Sequence, residues 1–172
     1  MIPRIKKILY ATDLTDNSAY AFRYAVNSAQ KHDAQIIILH VLESIPTSVE
    51  SLMGIYVEQT QVQNLWDKVM KEQTQRIHDR LKEFAKRELQ NDPETLKRVT
   101  QILVVKGEPV LEILKKVNEL DCDIIIMGTH GKGAITHAFL GSVAEKVLQR
   151  VAKPVFVIPI PKGETDITFR HI

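Results

Sequence analysis

The chain has 172 residues, 44% apolar and 26% charged, with Lys and Arg together 23 against 21 Asp and Glu. This length and balance describe one globular domain with enough core to fold without disulfides or a metal, and they exclude disordered, collagenous and fibrous classes. A net charge of +2 argues against a dedicated DNA-binding or membrane-surface role.

The lone Cys122 excludes an intramolecular disulfide framework and a multi-cysteine zinc site, and suits a reducing compartment. No stretch reads as a secretory leader. The longest apolar runs, such as 36–42, fall far short of the ~18 residues of a membrane span. A soluble cytoplasmic protein is expected, with no nucleic-acid or membrane partner.

In chain order, the run 5–11 ends in Thr12-Asp13 and reads as a strand, with a helix beginning near Asp16-Asn17-Ser18. Ala19, Phe22, Val26 and Ala29 then recur at helical spacing. Residues 36–42 are nearly all apolar, as expected of a strand covered on both faces. Residues 43–57, with Pro46 and Gly54, read as a loop or a broken element. From about Val57 to Leu89 a helical stripe runs through Val62, Leu65, Val69, Ile77, Leu81 and Phe84, with Gln73 interrupting it. A helix of that extent would span ~50 Å, so its first turns are expected to project beyond the sheet or to be broken.

Asn91-Asp92-Pro93 marks a stop or a new turn, and 99–105 reads as a third strand. Pro109 suits the first turn of a helix whose apolar face is Val110, Ile113, Leu114 and Val117. Residues 123–127 form a fourth strand. A glycine-rich loop follows, then a helix opening at Ser142 with Val143, Val147, Leu148 and Val151 facing inward. Residues 154–159 form a fifth strand, whose flanking prolines place it at a sheet edge. Alternating strands and helices imply an α/β fold, an open parallel sheet with helices on both faces. The whole of 1–172 is expected to be one domain, with its core at about 3–160 and a polar tail after Pro161.

Four of the seven glycines fall at 128, 131, 133 and 141, between the fourth strand and the next helix. In open α/β sheets ligands bind at this carboxyl edge. Glycines let a backbone approach a ligand closely, and a helix N-terminus attracts phosphate. Neither G-x-x-x-x-G-K-[ST] nor a G-x-G-x-x-G after the first strand is present, which argues against a common P-loop enzyme and an ordinary dinucleotide fold. The spacing is instead Gly, two residues, Gly, nine residues, Gly-Ser.

With that spacing, carried by Gly128, Gly131, Gly141 and Ser142, the chain resembles the ATP-binding branch of the universal stress protein family. Thr12-Asp13 closing strand one, Leu39-His40-Val41, Gly107-x-Pro109, 123–128 and Lys153-Pro154-Val155 carry the likeness over residues 3–160. The resemblance implies a five-stranded parallel sheet of order 3-2-1-4-5, Rossmann-like and akin to the adenine nucleotide alpha hydrolases. Asp13 then lies across the crevice from the glycine loop. It further implies a nucleotide-dependent stress-response regulator that binds ATP, with Mg²⁺ or Mn²⁺ held by the phosphates rather than by the protein. Homodimers would form through strand five, Val155–Ile158, and an unnamed regulatory protein would be the further partner.

The site carried over comprises Ala11, Thr12, Asp13, Val41, Met127, Gly128, His130, Gly131, Gly141, Ser142 and Val143, with no catalytic residue. Asp13 would meet the adenosine part near the ribose, against the commoner role of a turn aspartate. Val41 would meet the adenine edge with its backbone and is otherwise a buried strand valine. Met127 would line the pocket or simply fill core. Gly128 and Gly131 would let the chain wrap ribose and phosphates, and Gly141, Ser142 and the Val143 amide would meet the outer phosphates. Ser142-x-x-Glu145 also reads as a capping box, with the hydroxyl bonding its own helix. His130 and Lys132 would screen phosphate charge, against the commoner reading of solvated loop residues; His40 reads as a satisfied buried histidine, and Cys122 as a small buried residue. Nucleotide binding is expected to order residues 43–65 and 132–140. The alternative is a slow ATPase or autophosphorylating enzyme on the same site. No residue stands out as the base or arginine finger of such chemistry, so at most weak ATP hydrolysis is expected.

Overall fold

The computed structural model describes residues 2–43, 59–129 and 140–159, with backbone alone at 16 and 59–66. In chain order the elements are β1 (Lys7–Ala11), α1 (Asp16–His32), β2 (Gln35–Leu42), α2 (Gln59–Glu88), α3 (Pro93–Leu96), β3 (Val99–Lys106), α4 (Pro109–Glu119), β4 (Ile124–Gly128), α5 (Ser142–Arg150) and β5 (Val155–Ile158). The five strands form one sheet in the order β3-β2-β1-β4-β5, every pair parallel. This is the expected topology, and β5 stands at an edge as its flanking prolines require. Among the described residues no helix is long and apolar enough to cross a membrane.

The two-residue period of the strands sorts their side chains into two cores. Ile8, Tyr10, Ile36, Ile38 and Ile126 face α1 and α2. Leu9, Ala11, Ile37, Leu39 and Met127 face α4 and α5. Both faces are covered, and that is why the strands read as unbroken apolar runs rather than alternating ones. Helix α1 presents Ala21, Ala25 and Ala29 inward, all fully buried. Phe22 stands between Tyr10, with ring centroids 5.2 Å apart, and Phe84 of α2 at 5.1 Å. This aromatic series joins sheet to helix to helix. Burial pushes the Tyr10 phenol far above its ordinary range, and its hydroxyl donates to the Ser18 carbonyl at 2.5 Å.

Helix α2 runs unbroken for 30 residues, about 45 Å at 1.5 Å per residue. Among its described side chains, those that fasten it to the sheet lie in its second half and include Ile77, Leu81, Phe84 and Ala85. No side chain from 67 to 76 is buried, and the expected break is absent from Gln59 onward. Val62 and Leu65 of the expected stripe lie outside the described side chains. The short α3 was read only as a turn. Its N-cap, Asp92, accepts from the Thr95 amide at 2.9 Å and from Gln30 of α1 at 2.7 Å. Cys122 is buried as expected, and burial pushes its thiol up to about 11.

The amino edge of the sheet is held by a side chain with no counterpart in the sequence reading. Asp123 Oδ2 accepts from the amides of Lys6 at 2.6 Å and Lys7 at 2.9 Å, bolting the entry of β1 to that of β4. Asp123→Ala strands both donors and is expected to cost about 1 kcal/mol of unfolding free energy by urea titration, since half-exposed amides recover water. Asp123→Asn keeps an acceptor and should cost less.

Candidate functional site

The chain winds outward from β1 to β2 and β3, then returns to place β4 and β5 on the other side of β1. Loops leaving the carboxyl ends of β1 and β4 therefore diverge, and a crevice opens between them. A cleft of about 460 Å³ occupies that position on the α4/α5 face. It is lined by Ala11 at the end of β1 and Thr12 and Asp13 after it, by Leu39 to Leu42 on β2 and Glu43 after it, by Pro109 and Ile113 of α4, by Met127 to Thr129, and by Gly141 to Ala144.

The turn after β1 is built by its own hydroxyls and carboxylate. Thr12 donates its amide to the Leu39 carbonyl at 2.9 Å, and its hydroxyl lies 2.9 Å from that of Ser18. Ser18 in turn donates to the Thr15 carbonyl at 2.9 Å. Leu14 takes the left-handed conformation at φ 67°, a strain of order 1 kcal/mol. Thr15 caps α1. Asp13 divides its labour: Oδ1 accepts from the Thr15 amide at 3.1 Å and the Thr15 hydroxyl at 2.6 Å, the turn role expected of any aspartate here. Its Oδ2 is shut away from solvent and has no partner among the described residues. A buried carboxylate oxygen left in that state costs on the order of 1–3 kcal/mol, which a donor from a bound molecule would recover.

Val41 lines the same cleft. Along β2 the backbone groups alternate sides, as in any strand between two neighbours. Gln35 bonds to Lys6 and Leu39 to Thr12 on the β1 side, whereas Ile36 bonds to Arg98 and Leu42 to Gly107 on the β3 side. The odd-numbered Val41 thus turns its N–H and C=O toward β1. There the register ends at Ala11 opposite Leu39. Among the described residues no main-chain bond from β1 or its following turn reaches Val41.

The opposite wall is the start of α5. Its N-cap is Gly141, extended at φ −62° and ψ 148°, with no side-chain cap. The first bond inside the helix runs from the Glu145 amide to the Gly141 carbonyl at 2.9 Å. The amides of Ser142, Val143 and Ala144 therefore have no helical acceptor and face the end of the helix where the dipole is positive. This corrects the capping-box reading. Ser142 is the first helical residue, not the cap, and its side chain is exposed. The Gly141 amide is also spent, donating to the Thr129 carbonyl at 2.6 Å, so an anion here would meet the amides after it.

Gly128 is required by packing as well as by access. A Cβ there would fall 2.7 Å from Asn17 Nδ2 and 2.9 Å from its Cγ. Asn17 is buried and donates to the Thr129 hydroxyl at 3.3 Å, which brings the start of α1 against the end of β4. Met127 is both buried and a wall of the cleft, so its two readings hold together. His40 is buried, with Nδ1 2.8 Å from the Thr12 carbonyl. Because a carbonyl only accepts, Nδ1 carries the proton.

Of the expected site residues, Ala11, Thr12, Asp13, Val41, Met127, Gly128, Gly141, Ser142 and Val143 all line the cleft. His130, Gly131 and Lys132 lie outside the described residues. Sequence reasoning missed Asn17, Thr129, Pro109 and Ile113. For Asn17 the available signal was only a polar residue in the first turn of α1, just ahead of its alanine-rich inward stripe. Pro109 and Ile113 were read correctly as helix start and helix face, but nothing local says that this face ends at a cleft.

An open parallel sheet in this strand order, with a cleft at its switch point, defines a Rossmann-like fold. Residues 4–159 match the universal stress protein family, and the chain belongs to it. It is 31% identical over 156 residues to universal stress protein MJ0577 of Methanocaldococcus jannaschii, covering 89% of this chain and 94% of that one. To universal stress protein YxiE of Bacillus subtilis it is 30% identical over 153 residues, covering 88% and 97%. The solved structure of MJ0577 superposes with a TM-score of 0.63 at 28% identity, covering 94% of this chain and all of that one.

Gly128→Ala is expected to cost about 1–3 kcal/mol in chemical unfolding, because the new methyl group must displace a buried amide. In an Asn17→Ala background the same change should cost much less, a non-additivity that a double-mutant cycle would register.

Proposed function

We propose that this chain is an ATP-binding regulatory protein, with the nucleotide lying across the cleft from β2 to α5. The observation that carries the reading is the unpartnered, buried Oδ2 of Asp13 in the same cleft as the open amides at the start of α5. One end of the cleft asks for a neutral hydroxyl or amino donor and the other for an anion. A nucleotide offers a ribose hydroxyl and a phosphate chain in one molecule. The Val41 main chain presents a donor and an acceptor side by side, the complement of a purine edge. Met127, Ile113 and Leu39 supply apolar walls for the ring. Mg²⁺ or Mn²⁺ would enter with the phosphates and neutralise their charge, the amides of Ser142 and Val143 holding the oxygens the ion leaves free.

Asp13→Ala removes the acceptor for the ribose. Titration calorimetry with ATP should show affinity reduced roughly tenfold or more, the worth of one hydrogen bond to a charged group. Undiminished affinity would overturn the reading.

The functional unit is proposed to be a homodimer joined through β5. Among the described residues that strand has one neighbour, β4, and Phe156 is 40% exposed on it. An edge strand with an exposed aromatic is a liability in a free monomer and an asset at an interface. Phe156→Lys is expected to leave the fold intact and shift the species seen by light scattering from dimer to monomer. A wild-type chain that runs as a monomer at micromolar concentration would count against the dimer.

A further inference from the structure

The β1–β2 ladder stops at the cleft, and His40 is where it stops. In a parallel pair, a residue whose amide bonds one carbonyl on its neighbour offers its own carbonyl to the amide two residues further along that neighbour. Thr12 donates its amide to Leu39 O. Continued regularly, the ladder would bring the Thr12 carbonyl to the Val41 amide. Instead that carbonyl takes the His40 ring, with Nδ1 at 2.8 Å. The imidazole is buried, so the bond is made out of water, where an unpaired carbonyl would be costly.

We propose that His40 is a positioning residue that keeps the Val41 amide open for the base of the nucleotide, by giving the Thr12 carbonyl the donor it would otherwise take from Val41. This rests on the nucleotide reading above and assigns a task to a residue that reading leaves idle. A strand that must expose one main-chain amide beside its partner strand has to satisfy the carbonyl opposite by other means. A side-chain N–H from the preceding residue does so without moving either strand. The bond also fixes the carbonyl side of the Thr12–Asp13 peptide, so the same contact holds the turn that carries the Asp13 carboxylate.

The test uses two donor-free variants, His40→Leu and His40→Phe, so that poor folding of one leaves the other. A third variant, His40→Asn, returns an amide N–H near the position of Nδ1. With no nucleotide present, hydrogen exchange followed by NMR should show the Val41 amide becoming more protected in His40→Leu and His40→Phe, as it closes onto the Thr12 carbonyl. It should stay exchangeable in His40→Asn. ATP affinity by calorimetry should fall roughly tenfold in the donor-free pair, the worth of one main-chain hydrogen bond, and recover in His40→Asn. Unchanged Val41 exchange in both donor-free variants would overturn the inference, whether or not affinity falls, because His40 would then act only on stability. Asp13→Ala run alongside separates the two claims. If it leaves ATP binding untouched, the nucleotide reading fails, while the exchange experiment, which needs no nucleotide, still decides what His40 does.

Discussion

The hydrogen bond from the Thr12 amide to the Leu39 carbonyl is the last rung between the central strand β1 and its neighbour β2, and the cleft opens because the ladder ends there. One rung more and the cleft wall would be ordinary sheet, its amides and carbonyls consumed. One rung fewer and the turn carrying Asp13 would lose its anchor. Everything after the rung is built to stop the sheet cleanly. Leu14 goes left-handed, Thr15 caps the next helix, and the hydroxyls of Thr12 and Ser18 pair in the dry space between. The chain is turned by side chains so that main-chain groups on β2 are left over.

The two sides of the crevice are stopped by different devices. On the β1 side polar side chains do the work. On the β4 side the work is done by an absent side chain, since Gly128 admits Asn17 into contact with the backbone. Asn17 and Ser18 are neighbours at the start of α1, one turned to β4 and the other to β1. The first turn of a single helix thus braces both exits at once. The inward alanines of that helix let it lie close to the sheet.

Much of this could be read from residues alone. The strand runs, their number, the edge position of β5 and the place of the cleft follow from period, proline and glycine, each a local signal with a local cause. The family likeness supplied strand order, which period cannot, because order depends on which way each crossover turns. Asp13 and Val41 were reached by likeness; what the structure adds is that both line the cleft, Asp13 with a buried oxygen that has no partner among the described residues. The capping box at Ser142 misled because its letters fit. What decides a cap is which residue is extended and which helical, and here the glycine before the serine takes the extended role. Asn17, Thr129 and the Asp123 bolt were illegible because their partners lie more than a hundred positions away in sequence, beyond any spacing rule. The length of α2 was legible as a helical stripe that continues to Phe84.

The Thr129 carbonyl and the Gly141 amide meet at 2.6 Å, so the chain leaves the site and rejoins it at nearly the same point. Thr129 directly follows β4 and Gly141 caps α5, so strand and helix are locked together by main-chain atoms alone. A contact that uses no side chain cannot be removed by replacing one, so the spacing of these two walls is tolerant of substitution at either anchor.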